Sequence, residues 1–128
     1  MVRSSAAARL RSGSIAMRDT LHGFAVGSGI EGDVPPGDNV AETRDGGASW
    51  SLVGRVPAPV YGAAIQPRTR ALIATGPKGG FLSIDDGRSW RPLSVESHWS
   101  VAFTPGGIGW MVGAKGRITR VELGDAAR

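Results

Sequence analysis

The sequence predicts an all-β chain made of a repeated unit of four short antiparallel strands, and three observations carry that expectation. An eight-residue phrase occurs twice, as Thr43-Arg44-Asp45-Gly46-Gly47-Ala48-Ser49-Trp50 and as Ser83-Ile84-Asp85-Asp86-Gly87-Arg88-Ser89-Trp90. Both copies read hydroxyl-x-Asp-x-Gly-x-Ser-Trp, and their tryptophans lie 40 residues apart. A fixed period in this range marks stacked supersecondary units. The 20 glycines and 8 prolines of the 128-residue chain punctuate short apolar runs, the pattern of strands joined by tight turns. Those runs are too short for helices and long enough for strands.

Taken in order, residues 14–19 form a short apolar strand that ends in the turn Thr20 to Gly23, and Phe24 to Gly27 is a second strand closed by glycine. Glu31 to Asp38 is a loop, because Pro35-Pro36 flanked by Gly and Asp cannot sit inside a ladder. Asn39 to Thr43 is the third strand, and the first phrase turns the chain into a fourth beginning at Trp50. The same order returns as Val60 to Ile65, Ala71 to Gly76, Gly80 to Ile84 and Trp90 to Val95. A third pass runs Trp99 to Phe103, Gly109 to Gly113 and Arg117 to Leu123. Aligned on the closing glycines Gly76 and Gly113, Glu122-Leu123-Gly124 stands where Asp85-Asp86-Gly87 stood, and the Ser-Trp ending has become Ala126-Ala127.

Four-stranded units at this spacing are propeller blades. The expected division is a disordered tail over 1–13, blade A with its phrase over 14–57, blade B with its phrase over 58–96, and an incomplete blade C with a degenerate phrase over 97–128. The fold class is therefore a β-propeller fragment of about three four-stranded antiparallel blades, two complete and the last missing a strand. Three blades leave apolar faces open, so either further blades of a longer parent or an oligomer is expected to cover them.

The phrase reads as a hairpin device. Asp45 and Asp85 are suited to accept hydrogen bonds from backbone N–H groups two residues on. Gly47 and Gly87 permit a positive φ. Thr43, Ser83, Ser49 and Ser89 supply hydroxyls for the remaining local donors and acceptors. Trp50 and Trp90 start the outer strand and are expected to bury their rings against a neighbouring sheet. A hard-cation reading of Asp45, Asp85 and Asp86 fails on number, since calcium takes six to eight converging oxygens. No metal or cofactor is expected.

The pattern Ser/Thr-x-Asp-x-Gly-x-Ser/Thr-Trp resembles the Asp-box, or BNR repeat, of sialidases and other β-propellers. His22-Gly23-Phe24-Ala25-Val26-Gly27 and Gly109-Trp110-Met111-Val112-Gly113-Ala114-Lys115-Gly116-Arg117-Ile118 resemble repeats of the photosystem II stability/assembly-factor-like family, a WD40/YVTN/BNR-like group. The resemblance covers about residues 14–123 and fits the C-terminal blades of such proteins. It implies a propeller of about seven blades, usually exported, serving as a binding or assembly scaffold. Ala6 to Leu10 is too short and too interrupted by Arg9 for the apolar core of a signal peptide, so none is expected in these residues, and the compartment stays open.

The residues themselves point away from catalysis. A sialidase-like glycosidase, the alternative reading, needs an early Arg-Ile-Pro motif and a tyrosine–glutamate pair by that resemblance. The chain lacks the motif, and its one tyrosine, Tyr61, opens an apolar strand. A carboxylate pair for glycoside hydrolysis cannot be picked out among acids that lie in turns. Gly27-Ser28-Gly29-Ile30-Glu31-Gly32 fits GxGxxG, yet Pro35-Pro36 forbids the helix that a dinucleotide site requires. His22 and His98 fall in turns and read as surface residues. Without cysteine there is no disulfide or thiolate chemistry. The net charge of +4 comes from 13 arginines and two lysines; outside the first 18 residues they are spread along the chain, which argues against nucleic acid. No apolar run is long enough to span a membrane. A protein partner is expected, and the acidic insertion with Glu31, Asp33 and Asp38 is the candidate binding loop.

Overall fold

The computed structural model describes residues 12–27 and 37–124. Eleven strands are described: β1 Ser12–Met17, β2 Gly23–Gly27, β3 Val40–Thr43, β4 Ser51–Gly54, β5 Gly62–Ile65, β6 Leu72–Gly76, β7 Gly79–Ser83, β8 Arg91–Ser94, β9 Ser100–Phe103, β10 Gly109–Val112 and β11 Ile118–Val121. They form three antiparallel sheets, ordered β1-β2-β3-β4, β5-β6-β7-β8 and β9-β10-β11, called blades A, B and C below. Each sheet is a meander, so every strand pairs with its neighbour in sequence.

Register makes the repeat explicit. Phe24 stands opposite Glu42, Ile73 opposite Leu82, and Trp110 opposite Arg120, three corresponding pairs on the middle strands of successive blades. The middle strands β2, β6 and β7 are buried at every position, as befits strands covered on both faces. The outer strand β8 is mostly exposed and β4 is exposed over its first two residues, and Pro92 sits on such an edge, where its missing N–H does no harm. The inner strands lie side by side across blades, β1 against β5 and β5 against β9.

The core is split between two seams. Phe24, Val26 and Val40 of blade A meet Leu72, Ala74 and Phe81 of blade B, together with Val56 and Val60 from the connection between them. Ala71, Ile73 and Leu82 of blade B meet Val101, Met111 and Val121 of blade C. Burying a side chain such as Phe24 completely contributes about 2–3 kcal/mol.

Buried polar groups tie the connections. Asn39 is fully buried; its Nδ2–H donates to the Val56 carbonyl at 3.0 Å and its Oδ1 accepts from the Val56 N–H at 2.7 Å. It precedes β3 instead of opening it. Gln66 spans the second seam, with Nε2–H donating to the Gly107 carbonyl at 3.1 Å and Oε1 accepting from the Arg68 N–H at 2.7 Å. His98 corrects the expectation of a surface residue, for it is 0% exposed. Its Nδ1 lies 2.9 Å from the Glu96 carbonyl and its Nε2 2.9 Å from the Thr119 hydroxyl. A carbonyl can only accept, so Nδ1 carries a proton toward Glu96, and the ring joins the β8–β9 connection to β11. Strand β1 begins at Ser12, two residues ahead of the expected start; the tail over 1–11 lies outside the described residues.

Candidate functional site

The two copies of the repeated phrase form matching turns at one end of the blades. In the first, the Thr43 hydroxyl donates to Asp45 Oδ1 at 2.9 Å and accepts from the Gly47 N–H at 2.8 Å. Asp45 accepts from the Ser49 N–H at 2.9 Å and from the Ser49 hydroxyl at 2.5 Å. Trp50 Nε1–H donates to the Gly47 carbonyl at 3.1 Å. The second turn repeats every bond: Ser83 to Asp85 at 2.9 Å, Gly87 to Ser83 at 2.9 Å, Ser89 to Asp85 at 2.8 and 2.5 Å, and Trp90 to the Gly87 carbonyl at 2.8 Å.

This geometry revises the local reading in three ways. The aspartate closes a four-residue loop onto Ser49 or Ser89, and the N–H of the glycine two residues beyond it goes to the hydroxyl that opens the phrase. The outer strand starts one residue after each tryptophan. The indoles fold back over their own turns and stay half-buried; Trp90 borders the A–B core, whereas Trp50 is not part of either cluster. In the first copy Gly46 and Gly47 have φ of 70° and 91°; in the second, Asp86 and Gly87 have 58° and 82°. Asp86 thus occupies a left-handed position, and its carboxylate holds Arg18 at 3.1 Å and also pairs with Arg70.

The second turn reaches beyond its own blade. Gly87 sits against Val40 and Phe24 of blade A, and Arg88 pairs with Glu42 of β3 at 3.1 Å, beside the Arg44–Glu42 pair at 3.1 Å. Burial pushes the Glu42 carboxyl up, but hydrogen bonds and charge from Arg88 and Arg44 outweigh it and hold the group below the ordinary range. Ser49 lowers Asp45 through its hydroxyl and N–H, with Thr43 adding to the effect. At Asp85 burial again acts upward and the bonds from Ser89 and Ser83 prevail, leaving the group lowered. Carboxylates that bind protons less tightly folded than unfolded contribute stability that is complete above the ordinary carboxylate range and is lost as pH falls through it. Thermal melts between about pH 7 and pH 3 should therefore show a falling midpoint below about pH 4.5. Asp85→Asn should melt lower at neutral pH and lose less on acidification, because its amide keeps one acceptor oxygen where the carboxylate uses two and cannot titrate.

The other end of the blades carries the remaining candidates. Asp38 is exposed; Glu31 and Asp33 of the same insertion lie outside the described residues, as does most of the GxGxxG stretch. Tyr61 stacks on Trp99 with ring centroids 6.0 Å apart and planes at 23°. The pair bridges blades B and C, a contact that spacing alone gave no means of foreseeing. His22 is on the opposite end, exposed and bonded through Nδ1 to Asp19 at 2.9 Å. Among the described residues no group of three or more His, Cys, Asp or Glu gathers as a metal site.

The three sheets match a solved structure, YCF48 bound to a D1 peptide, with a TM-score of 0.62 and 21% identity over 88% of this chain. The fold is a β-propeller. The match spans 39% of the YCF48 chain. No family model matches the sequence, and no curated protein matches it. Among the described residues no helix is long and apolar enough to cross a membrane.

Proposed function

We propose that this chain is a non-catalytic propeller scaffold, photosystem II assembly-factor-like, that binds a segment of a protein partner. The observation that carries the reading is the likeness in fold to YCF48 bound to a D1 peptide, joined to the sequence resemblance over the same blades. The chemistry of the repeated turns agrees with it. Asp45 and Asp85 spend their oxygens on Thr43, Ser49, Ser83 and Ser89, which suits an Asp-box that shapes the blade and leaves contact to loops. The sialidase-like alternative needs a tyrosine paired with a glutamate, and the contact found at Tyr61 is the Trp99 ring.

On this reading the acidic insertion with Glu31, Asp33 and Asp38 is the first loop to meet a partner. Fluorescence anisotropy with a labelled D1 peptide and a scrambled control tests it. Saturable binding of the D1 peptide alone is expected, and joint alanine replacement of Glu31, Asp33 and Asp38 should weaken it about fivefold without moving the melting temperature. Equal binding of the two peptides by the wild-type chain, or none, would remove the D1-like reading.

A further inference from the structure

Lys78 and Lys115 are the two lysines of a chain that otherwise uses arginine, and they occupy corresponding positions. Gly76-Pro77-Lys78-Gly79 joins β6 to β7, and Gly113-Ala114-Lys115-Gly116 joins β10 to β11. Both lysines are exposed, and among the described residues neither belongs to an ion pair.

The connection from β8 to β9 runs between these two turns. Its His98 N–H donates to the Gly76 carbonyl at 3.0 Å, and its Trp99 N–H donates to the Val112 carbonyl at 2.7 Å. It is seated closely on the blade C side, where a methyl on Gly113 would lie 2.1 Å from the Ser97 carbonyl oxygen, while one on Gly79 would lie 3.5 Å from the Val95 Cα. Trp99 is 49% exposed and stacks on Tyr61, whose N–H donates to the Thr75 carbonyl next to the Lys78 turn at 2.7 Å. Tyr61, the Lys78 turn, Trp99 and the Lys115 turn therefore form one continuous strip across blades B and C. Glu96 is the acid on this connection, and Arg117 engages it at 2.9 Å. The strip is left with two uncompensated positive charges on either side of an exposed aromatic face.

We propose that this strip docks an extended acidic peptide, with a prolyl or aromatic side chain seated on Trp99 and Tyr61 and carboxylates paired with Lys78 and Lys115. The inference rests on the peptide-binding reading above and adds, apart from the acidic insertion, a second contact strip with its own chemistry. A rigid, half-exposed indole offers apolar area at low entropic cost. Ammonium groups on flexible stems accept carboxylates without demanding one geometry, so they suit a peptide read by charge spacing and shape.

The probe is a fluorescein-labelled peptide of alternating Glu and Pro, with an alternating Lys and Pro peptide as control, followed by anisotropy. The wild type should bind the acidic peptide and not the basic one. Lys78→Glu with Lys115→Glu should weaken binding about tenfold or more, Lys78→Arg with Lys115→Arg should restore it to within about twofold, and Trp99→Ala should weaken it about tenfold. The charge variants change exposed residues only, so an unchanged melt separates lost docking from lost fold. Wild-type affinity in the Lys78→Glu, Lys115→Glu variant overturns this site while leaving peptide binding in place. Binding of the D1 peptide without the acidic peptide likewise overturns it alone, and binding of neither peptide by the wild type overturns both readings.

Discussion

Replacing Gly54 by alanine is expected to lower the melting temperature by about 10 °C, a loss of about 3 kcal/mol for a chain of this size. Gly54 ends β4 where the second repeated turn closes on blade A. A Cβ built there would lie 1.8 Å from the Gly87 carbonyl oxygen and 2.9 Å from its carbon. Both are backbone atoms, so no side-chain rotation can relieve the overlap. Relief requires the turn to withdraw, and that would pull Gly87 off Val40 and Phe24 and stretch the Arg88–Glu42 pair. Gly124→Ala is the control, since nothing lies within 4 Å of the added methyl; it should melt with the wild type. A Gly54→Ala chain with an unchanged midpoint in differential scanning calorimetry would mean that the seam does not depend on this approach.

Asn39→Leu is expected to cost about 3 kcal/mol, read from denaturant midpoints at constant m-value. Leucine matches the side chain in bulk and leaves the Val56 N–H and carbonyl buried without partners at the A–B seam. Asn39→Asp separates the two bonds. The aspartate keeps an acceptor for the Val56 N–H and sets an oxygen against the Val56 carbonyl in a buried place, which raises its carboxyl pKa in the folded state. The folded chain then binds more protons than the unfolded one, so the variant's stability should rise as pH falls toward the carboxylate range. Insensitivity of Asn39→Asp to pH between about 7 and 5 would contradict the bidentate clip.

The strands and their order were legible because the signals are local. Gly27, Gly76 and Gly113 close corresponding strands, Pro35-Pro36 breaks a ladder, and the repeated phrase sets the period. What escaped was everything that depends on closure in three dimensions, within a turn or between blades. Asp45 and Asp85 advertise a turn, but the division of labour between carboxylate and hydroxyl is decided by three-dimensional closure onto Ser49 and Ser89. Asn39 reads in the sequence as the opening residue of the third strand, and its low strand preference is the one signal of a side-chain task. His98 looked like a turn histidine; its partner Thr119 is 21 residues away, and no pattern in the sequence links them. Gly87 was legible as a residue with positive φ and illegible as a wedge into blade A. The candidate face followed the same rule, for the equivalence of Lys78 and Lys115 could be read from the repeat, whereas the stacking of Tyr61 on Trp99 had to be seen.

The side-by-side inner strands carry a consequence for how the chain comes apart. The main contacts between blades run from β1 to β5 and from β5 and β6 to β9, so among the described blades it is blade B that has a neighbour on each side. Such an array behaves as a row of units whose stability is a sum of each unit and its nearest neighbours. Within these three blades the uniformly buried β6 is the strand expected to yield last to local opening. Blade B is the keystone of the row, and the Tyr61–Trp99 strip lies along the joint where opening from the blade C side would first be felt.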